Sequence, residues 1–417
     1  MTTTIVKAAD AAQFLSFVPR MLGYHPTRSL VVIPFHGSRT LGAMRIDLPD
    51  SASTAVDAIA STVIGMVCRL PEADGLATVA YTGASFAEHD GMPHRELAEA
   101  LAGRADECGL RVVDALCVAA DAWGSYLDPS CPDGGRPLAD LAAVAPELAE
   151  LPPPVGDQAS GADLPAVDLA ERERVGRALT ALEAAVAVLC GPDAADAGRR
   201  GSPFSPTDTD SAETDPADTD PDGGVGLAEA GAAVTGDGTR IDPRALEAVC
   251  LLDDLPDLFE DALAWDLDAV DPYRAAALAW CLSRPSLRDV ALVQWSGTMA
   301  HGDEAFDAQL RWENGEEYPT HLAMRMWGEG DRPDPGRLEA ALHLVRRIAA
   351  AAPRGSRSGP LAMCAWLSWA LGRSTHAEAY ATWACEIEPE HGLSEIVLSF
   401  VHAGHLPDWA FRRPERP

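Results

Sequence analysis

Between Asp208 and Asp222 the chain carries seven carboxylates, no basic residue and no large apolar side chain. A stretch of that composition cannot bury enough surface to offset its ordering entropy. It therefore limits what the 417 residues can build: not one continuous core, but a front and a back. The expectation is an acidic disordered linker over 192–240. It is a solvated spacer, a mimic of nucleic acid or an acidic docking tail. On this reading residues 1–140 form the front, 141–191 a linker and a docking helix, and 241–417 the back.

The front alternates strands and helices. Ala11, Phe14, Leu15 and Val18 recur at helix spacing, and Gly23 is placed to close that helix in a left-handed conformation. "SLVVIPF" reads as a buried strand, "HGSRT" as a hairpin and "LGAMRIDLP" as the return strand. Ser53 or Thr54 would cap the next helix, whose inner face holds Val56, Ile59, Ala60, Val63, Ile64 and Val67. "GLATVAYTG", a helix closed by Gly109, and "LRVVDALCVA" complete the pattern. The fold class is an α/β N-terminal domain with a mixed sheet, because the early hairpin rules out a purely parallel one.

The segment from Pro165 to Cys190 is amphipathic, and its Val and Leu stripe needs cover. From Asp242 onward all is expected to be helical. Several segments open on Pro in the first turn, where its missing N–H costs nothing. Nine of the ten tryptophans fall in this half. Counting from Leu361, the positions Ala365, Gly372, Ala377, Ala384 and Pro389 match the small residues and closing proline of a tetratricopeptide repeat of about 34 residues. The second fold class is thus an all-α C-terminal domain with a tetratricopeptide-like helix hairpin.

Charge excludes some functions. A formal net charge of −32 argues against nucleic-acid binding and against adhesion to anionic membranes. No apolar run is long enough to span a bilayer, and the first residues lack the pattern of a secretory signal. The reading is a soluble, cytoplasmic protein. Nine scattered cysteines without a CxxC do not suggest a disulfide framework or a Cys-based zinc site.

Two segments could bind a ligand. Residues 1–46 hold five bases against the single acid Asp10. In the turn that follows Gly23, His25, Arg28 and Ser29 offer donors to a phosphate or carboxylate, with Arg28 giving a planar fork. The alternative reading has Gly23 for the left-handed cap, Pro26 for the turn and Arg28 paired with a nearby carboxylate. After the last front strand, Trp123, Ser125 and Arg136 would form either a ligand lip or the anchor of an irregular loop. Neither "HDGMPH" nor "HAGH" supplies a metal-ligand set, and no nucleotide loop or GxSxG elbow occurs. Trp312 and Trp327 lie beside acids, as a groove for a basic or aromatic ligand or as core at a helix end. No cofactor or metal is implied.

Three pieces together carry a resemblance: "FVPRMLGYHPTRSLVVIP", "DAWGSYLDPSCPDGGRPL", and the C-terminal run from Pro360 through "EIEPEHGLSEIVL", with "LRDVAL" upstream. The chain resembles the actinobacterial family catalogued as domain of unknown function 4192. That family implies an α/β front and a helical back, with no activity to carry over. Its second piece has further cysteines after the Trp-x-Ser-Tyr unit; here Leu127 and Ser130 stand in two such places and Cys131 remains. Two functions follow as expectations. One is a non-enzymatic protein that binds a protein partner through its helical half. The other is an enzyme or binding module for a small anionic ligand, with the 25–29 turn and the 121–136 segment meeting in one pocket.

Overall fold

A computed structural model describes residues 8, 10–49, 56–89, 91–142, 152–191, 203 and 241–412. The chain divides into two compact units, Met1–Gly161 and Ala162–Pro417.

In the first unit, α1 (Ala11–Leu22) starts where the Asp10 carboxylate accepts the Gln13 N–H at 2.8 Å. It ends at Gly23, whose φ of 84° lets its N–H reach the Pro19 carbonyl at 2.9 Å. Strand β1 (Ser29–His36) alternates between two covered faces. Leu30 and Val32 meet α2 (Val56–Cys68) and α3 (Arg95–Glu107), whereas Val31, Ile33 and Phe35 meet α1. Burial on both sides explains why the strand reads as a continuous apolar run. The expected inner face of α2, Val56 to Val67, does pack there. Its proposed caps, Ser53 and Thr54, lie outside the described residues.

Strands β2 (Arg39–Thr40), β3 (Met44–Asp47) and β4 (Gly75–Tyr81) all pair antiparallel with β1. Strand β5 (Arg111–Val118) runs parallel to β4 through α3. Two further strands, β6 (Ala122–Ser125) and β7 (Arg136–Pro137), extend the edge antiparallel. The sheet is therefore mixed, with seven strands in the order β2-β1-β4-β5-β6-β7 and β3 also on β1.

The second unit contains eleven helices and no strand among the described residues. They are α4 (Leu169–Cys190), α5 (Pro243–Cys250), α6 (Leu255–Ala262), α7 (Pro272–Leu282), α8 (Pro285–Ser296), α9 (Met299–Glu313), α10 (Thr320–Met326), α11 (Pro335–Ala351), α12 (Ser358–Ala370), α13 (Ser374–Cys385) and α14 (Gly392–His402). Asp242, Asp271 and Asp334 cap α5, α7 and α11, each followed by proline at the first helical position. Helix α8 lies at the centre, packed by α6, α7, α9, α10, α11 and α12.

Here the structure differs from the expected division at the acidic stretch. The apolar stripe of α4, Val175, Ala178, Leu179, Leu182, Ala185 and Val186, is buried in the core of the second unit. Helix α4 packs on α5 and α7, which lie beyond that stretch in the chain. The stretch thus falls within the sequence of the helical unit, not between the two units. The disorder expected for 192–240 concerns residues that, Pro203 apart, lie outside those described.

Candidate functional site

The end of the sheet where β4 and β5 finish gathers the residues picked from sequence. Successive pairings Ser29↔Tyr81, Tyr81↔Val118, Val118↔Trp123 and Trp123↔Arg136 form one row across five strands. Strands sit about 4.8 Å apart, which puts Trp123 roughly 14 Å and Arg136 roughly 19 Å from Ser29. The two segments share one end of the sheet, but β4 and β5 stand between them. They do not converge on one pocket as the enzyme reading requires.

Most of their polar groups are engaged within the fold. The His25 N–H donates to the Gly156 carbonyl at 2.9 Å, and the Val155 N–H to the Gly23 carbonyl at 3.0 Å. Both the N–H and the hydroxyl of Thr27 donate to the Gln158 side-chain oxygen at 3.1 Å. Residues 155–158 therefore strap the turn. The buried Ser29 hydroxyl donates to the Thr27 carbonyl at 2.8 Å and accepts Arg45 Nε at 2.7 Å. His25 and Arg28 are exposed.

Trp123, Ser125 and Arg136 lie on strands, where the sequence suggested a loop. The Trp123 ring is buried, its indole N–H donates to the Pro137 carbonyl at 3.1 Å, and the Arg136 guanidinium covers it at 5.1 Å. Arg136 also pairs with Asp128 at 2.5 Å. Hydrogen bonds from Ser130 and Arg136 hold the Asp128 carboxyl below its usual range. Ser125 donates to Asp114 at 2.6 Å. This is a Trp anchored at a sheet edge. Cys131 packs beside Phe86, Met92 and Tyr126, in the small cluster over β5 and β6.

Sequence reasoning missed the centre of this sheet end. Thr82 follows β4, and its hydroxyl lies 3.2 Å from His94 Nε2. His94 precedes α3 with φ 58° and gives that helix no side-chain cap. Among the described non-glycine residues only Arg28 (φ 46°) and His94 have positive φ, and both lie at this end. Burial, then the neighbouring His89, lowers the His94 pKa. The Tyr81 hydroxyl is buried without a hydrogen-bond partner among the described residues, a desolvation cost of about 1–3 kcal/mol.

The helical unit carries a different arrangement. A surface groove is lined by Leu251, Leu258 and Trp265, by Asp253, Asp254, Asp257 and Asp261, and by Arg274. Asp254, Asp257 and Asp261 follow helix spacing, so they share one side of α6. The Asp254 carboxylate caps α6 by accepting the Asp257 N–H at 3.0 Å. All four aspartates are exposed, and none takes part in an ion pair among the described residues. The Arg274 guanidinium sits over the Trp265 ring at 5.7 Å, and the buried Trp265 indole N–H has no partner among the described residues. The spacing in "DDLPDLFED" carried this signal, but surplus acid elsewhere hid it. Trp327, weighed from sequence as groove or core, is 46% exposed and meets Phe400 edge-on at 5.2 Å.

No helix among the described residues is long and apolar enough to cross a membrane. No curated protein and no solved structure matches the chain. A family model described as a domain of unknown function, DUF4192, matches residues 12–408, which span both units. By that match over nearly its whole length, the chain belongs to the DUF4192 family.

Proposed function

We propose that this is a non-enzymatic binding protein whose helical unit takes up a Lys- or Arg-bearing segment of a protein partner. One observation carries the reading: four exposed carboxylates without ion pairs line a groove together with Leu251, Leu258 and Trp265, against the single cation Arg274. Carboxylates attract a cationic side chain, and the apolar side chains beside them take up its aliphatic stem. The α12–α13 hairpin, read from sequence as tetratricopeptide-like, belongs to the same helical body. The test uses the full chain, its Asp253→Asn/Asp257→Asn/Asp261→Asn variant, and a control with three exposed acids neutralised elsewhere. Partners cross-linked to the groove should contact it through basic residues, and the groove variant should bind them about tenfold or more weakly. Equal losses in the control, or cross-links that avoid α6, would overturn the reading.

A second reading, small-anion binding in the first unit, is favoured by the two left-handed residues Arg28 and His94 beside the uncapped start of α3. Millimolar phosphate should then raise the melting temperature, and Thr82→Ala together with His94→Ala should remove the rise. A phosphate shift that persists in the variant rejects the site.

A further inference from the structure

Cys68 is the last residue of α2 and Cys108 the residue that closes α3. Both helices lie on the same face of the sheet, and both cross back from one end of it to the other, so their C-termini finish side by side. Backbone hydrogen bonds fix each end. The Arg69 N–H reaches the Gly65 carbonyl at 3.3 Å, and the Cys108 N–H reaches the Arg104 carbonyl at 3.2 Å. Gly109, with φ 72°, then turns the chain so that the Leu110 N–H bonds the Ala105 carbonyl at 2.8 Å. Behind the two cysteines, Val67 and Ala105 are fully buried in one core. The outcome is two exposed thiols at neighbouring helix ends on one face of the sheet, near enough for Cys108 to perturb Cys68. Neither takes part in the proposed groove, and they lie at the opposite end of the sheet from Thr82 and His94.

We propose that Cys68 and Cys108 are a redox-closable thiol pair, whose oxidation to an intrachain disulfide staples α2 to α3. The oxidant belongs to the class of small-molecule disulfides. One protein thiolate attacks the small disulfide, forms a mixed disulfide and releases one small thiol. The second protein thiolate then attacks the cysteine Sγ of that mixed disulfide, forms the Cys68–Cys108 bond and releases the second small thiol. Two protein thiols are oxidised, and two electrons and two protons end on the released thiols. Burial, then the contact with Cys108, raises the Cys68 thiol. Either exposed thiolate can make the first attack, and the other closes the bond. Closure is unimolecular between held groups, so it outruns a second mixed disulfide.

The test treats the full chain with glutathione disulfide and follows intact mass and peptide maps. The expected product lacks two hydrogens and yields a Cys68–Cys108 cross-linked peptide. It should form about tenfold faster than adducts at the exposed Cys190 and Cys250. Cys68→Ser should leave a stable glutathione adduct on Cys108 and Cys108→Ser one on Cys68, while Cys190→Ser and Cys250→Ser should leave closure unchanged. Separate stable adducts on Cys68 and Cys108 in the unmodified chain, or no faster reaction than at Cys190 and Cys250, would overturn the proposal. So would a cross-link to any other cysteine.

Discussion

Replacing Asp289 by alanine should cost the helical unit about 3–5 kcal/mol, among the largest losses available to a single substitution in this protein. The reason lies in the middle of α8. Arg288 Nε donates to the Asp289 carboxylate at 2.9 Å, and the two side chains are only 5% and 3% exposed. The other end of the guanidinium reaches His391 Nε2 at 3.3 Å. Without the carboxylate the Arg288 charge stays buried, and neither water nor another ion can replace its partner cheaply. Chemical denaturation, with the transition followed by tryptophan fluorescence, measures the loss. Arg288→Met/Asp289→Leu, which removes both charges, should be destabilised less than Asp289→Ala alone. If the double variant is the worse of the two, the pair acts by shape and not by charge.

The second large effect concerns pH. His391 precedes α14 and is buried; burial, then the Arg288 charge, pushes its pKa down to about 3. An arginine only donates toward Nε2, and on the other side of the ring the Ser394 N–H donates to Nδ1 at 3.4 Å, with the Ser394 hydroxyl 3.1 Å away, so both ring nitrogens face donors and a second ring proton is disfavoured. The imidazole is neutral in the folded protein, and it protonates near 6.5 once unfolded. Its contribution is complete above pH 6.5 and is lost as pH falls toward about 3. Between pH 8 and pH 5.2 this one residue should remove about 2 kcal/mol of stability. That window lies above the range in which ordinary carboxylates titrate. His391→Gln, whose side-chain oxygen can accept from Arg288, should flatten the fall by that amount, whatever its stability at pH 8. An unchanged slope would show that other groups carry the acid dependence.

Much of the fold was legible in local pattern. The run from Leu30 to Phe35, the inner face of α2 and the Asp–Pro helix starts all state their structure within a few residues, because caps and periodicity are local physics. Strands β6 and β7 were not legible. Four residues containing Gly124, and a pair ending in Pro137, have no strand signature; they are strands because β5 offers an open edge. The unit boundary was misplaced for a similar reason. Composition marks where a chain cannot pack, but not which helices lie together across that gap, and α4 pairs with α5 and α7. The candidate sites divide along the same line. Arg28 and His94 earned notice as residue types, but their left-handed backbones are visible only in space. Arg288 and His391 are far apart in the chain, and nothing in either neighbourhood names the other.

Helix α8 carries a consequence of its own. Ser286 and every residue from Arg288 to Ser296 are buried, so the helix has no side from which it could fray into water. Its amide hydrogens should exchange with deuterium only when the whole unit opens, and so more slowly than those of α13 or α14. The helix that buries Ser286, Arg288, Asp289, Gln294 and Ser296 would then be the clock by which global opening of the unit is timed.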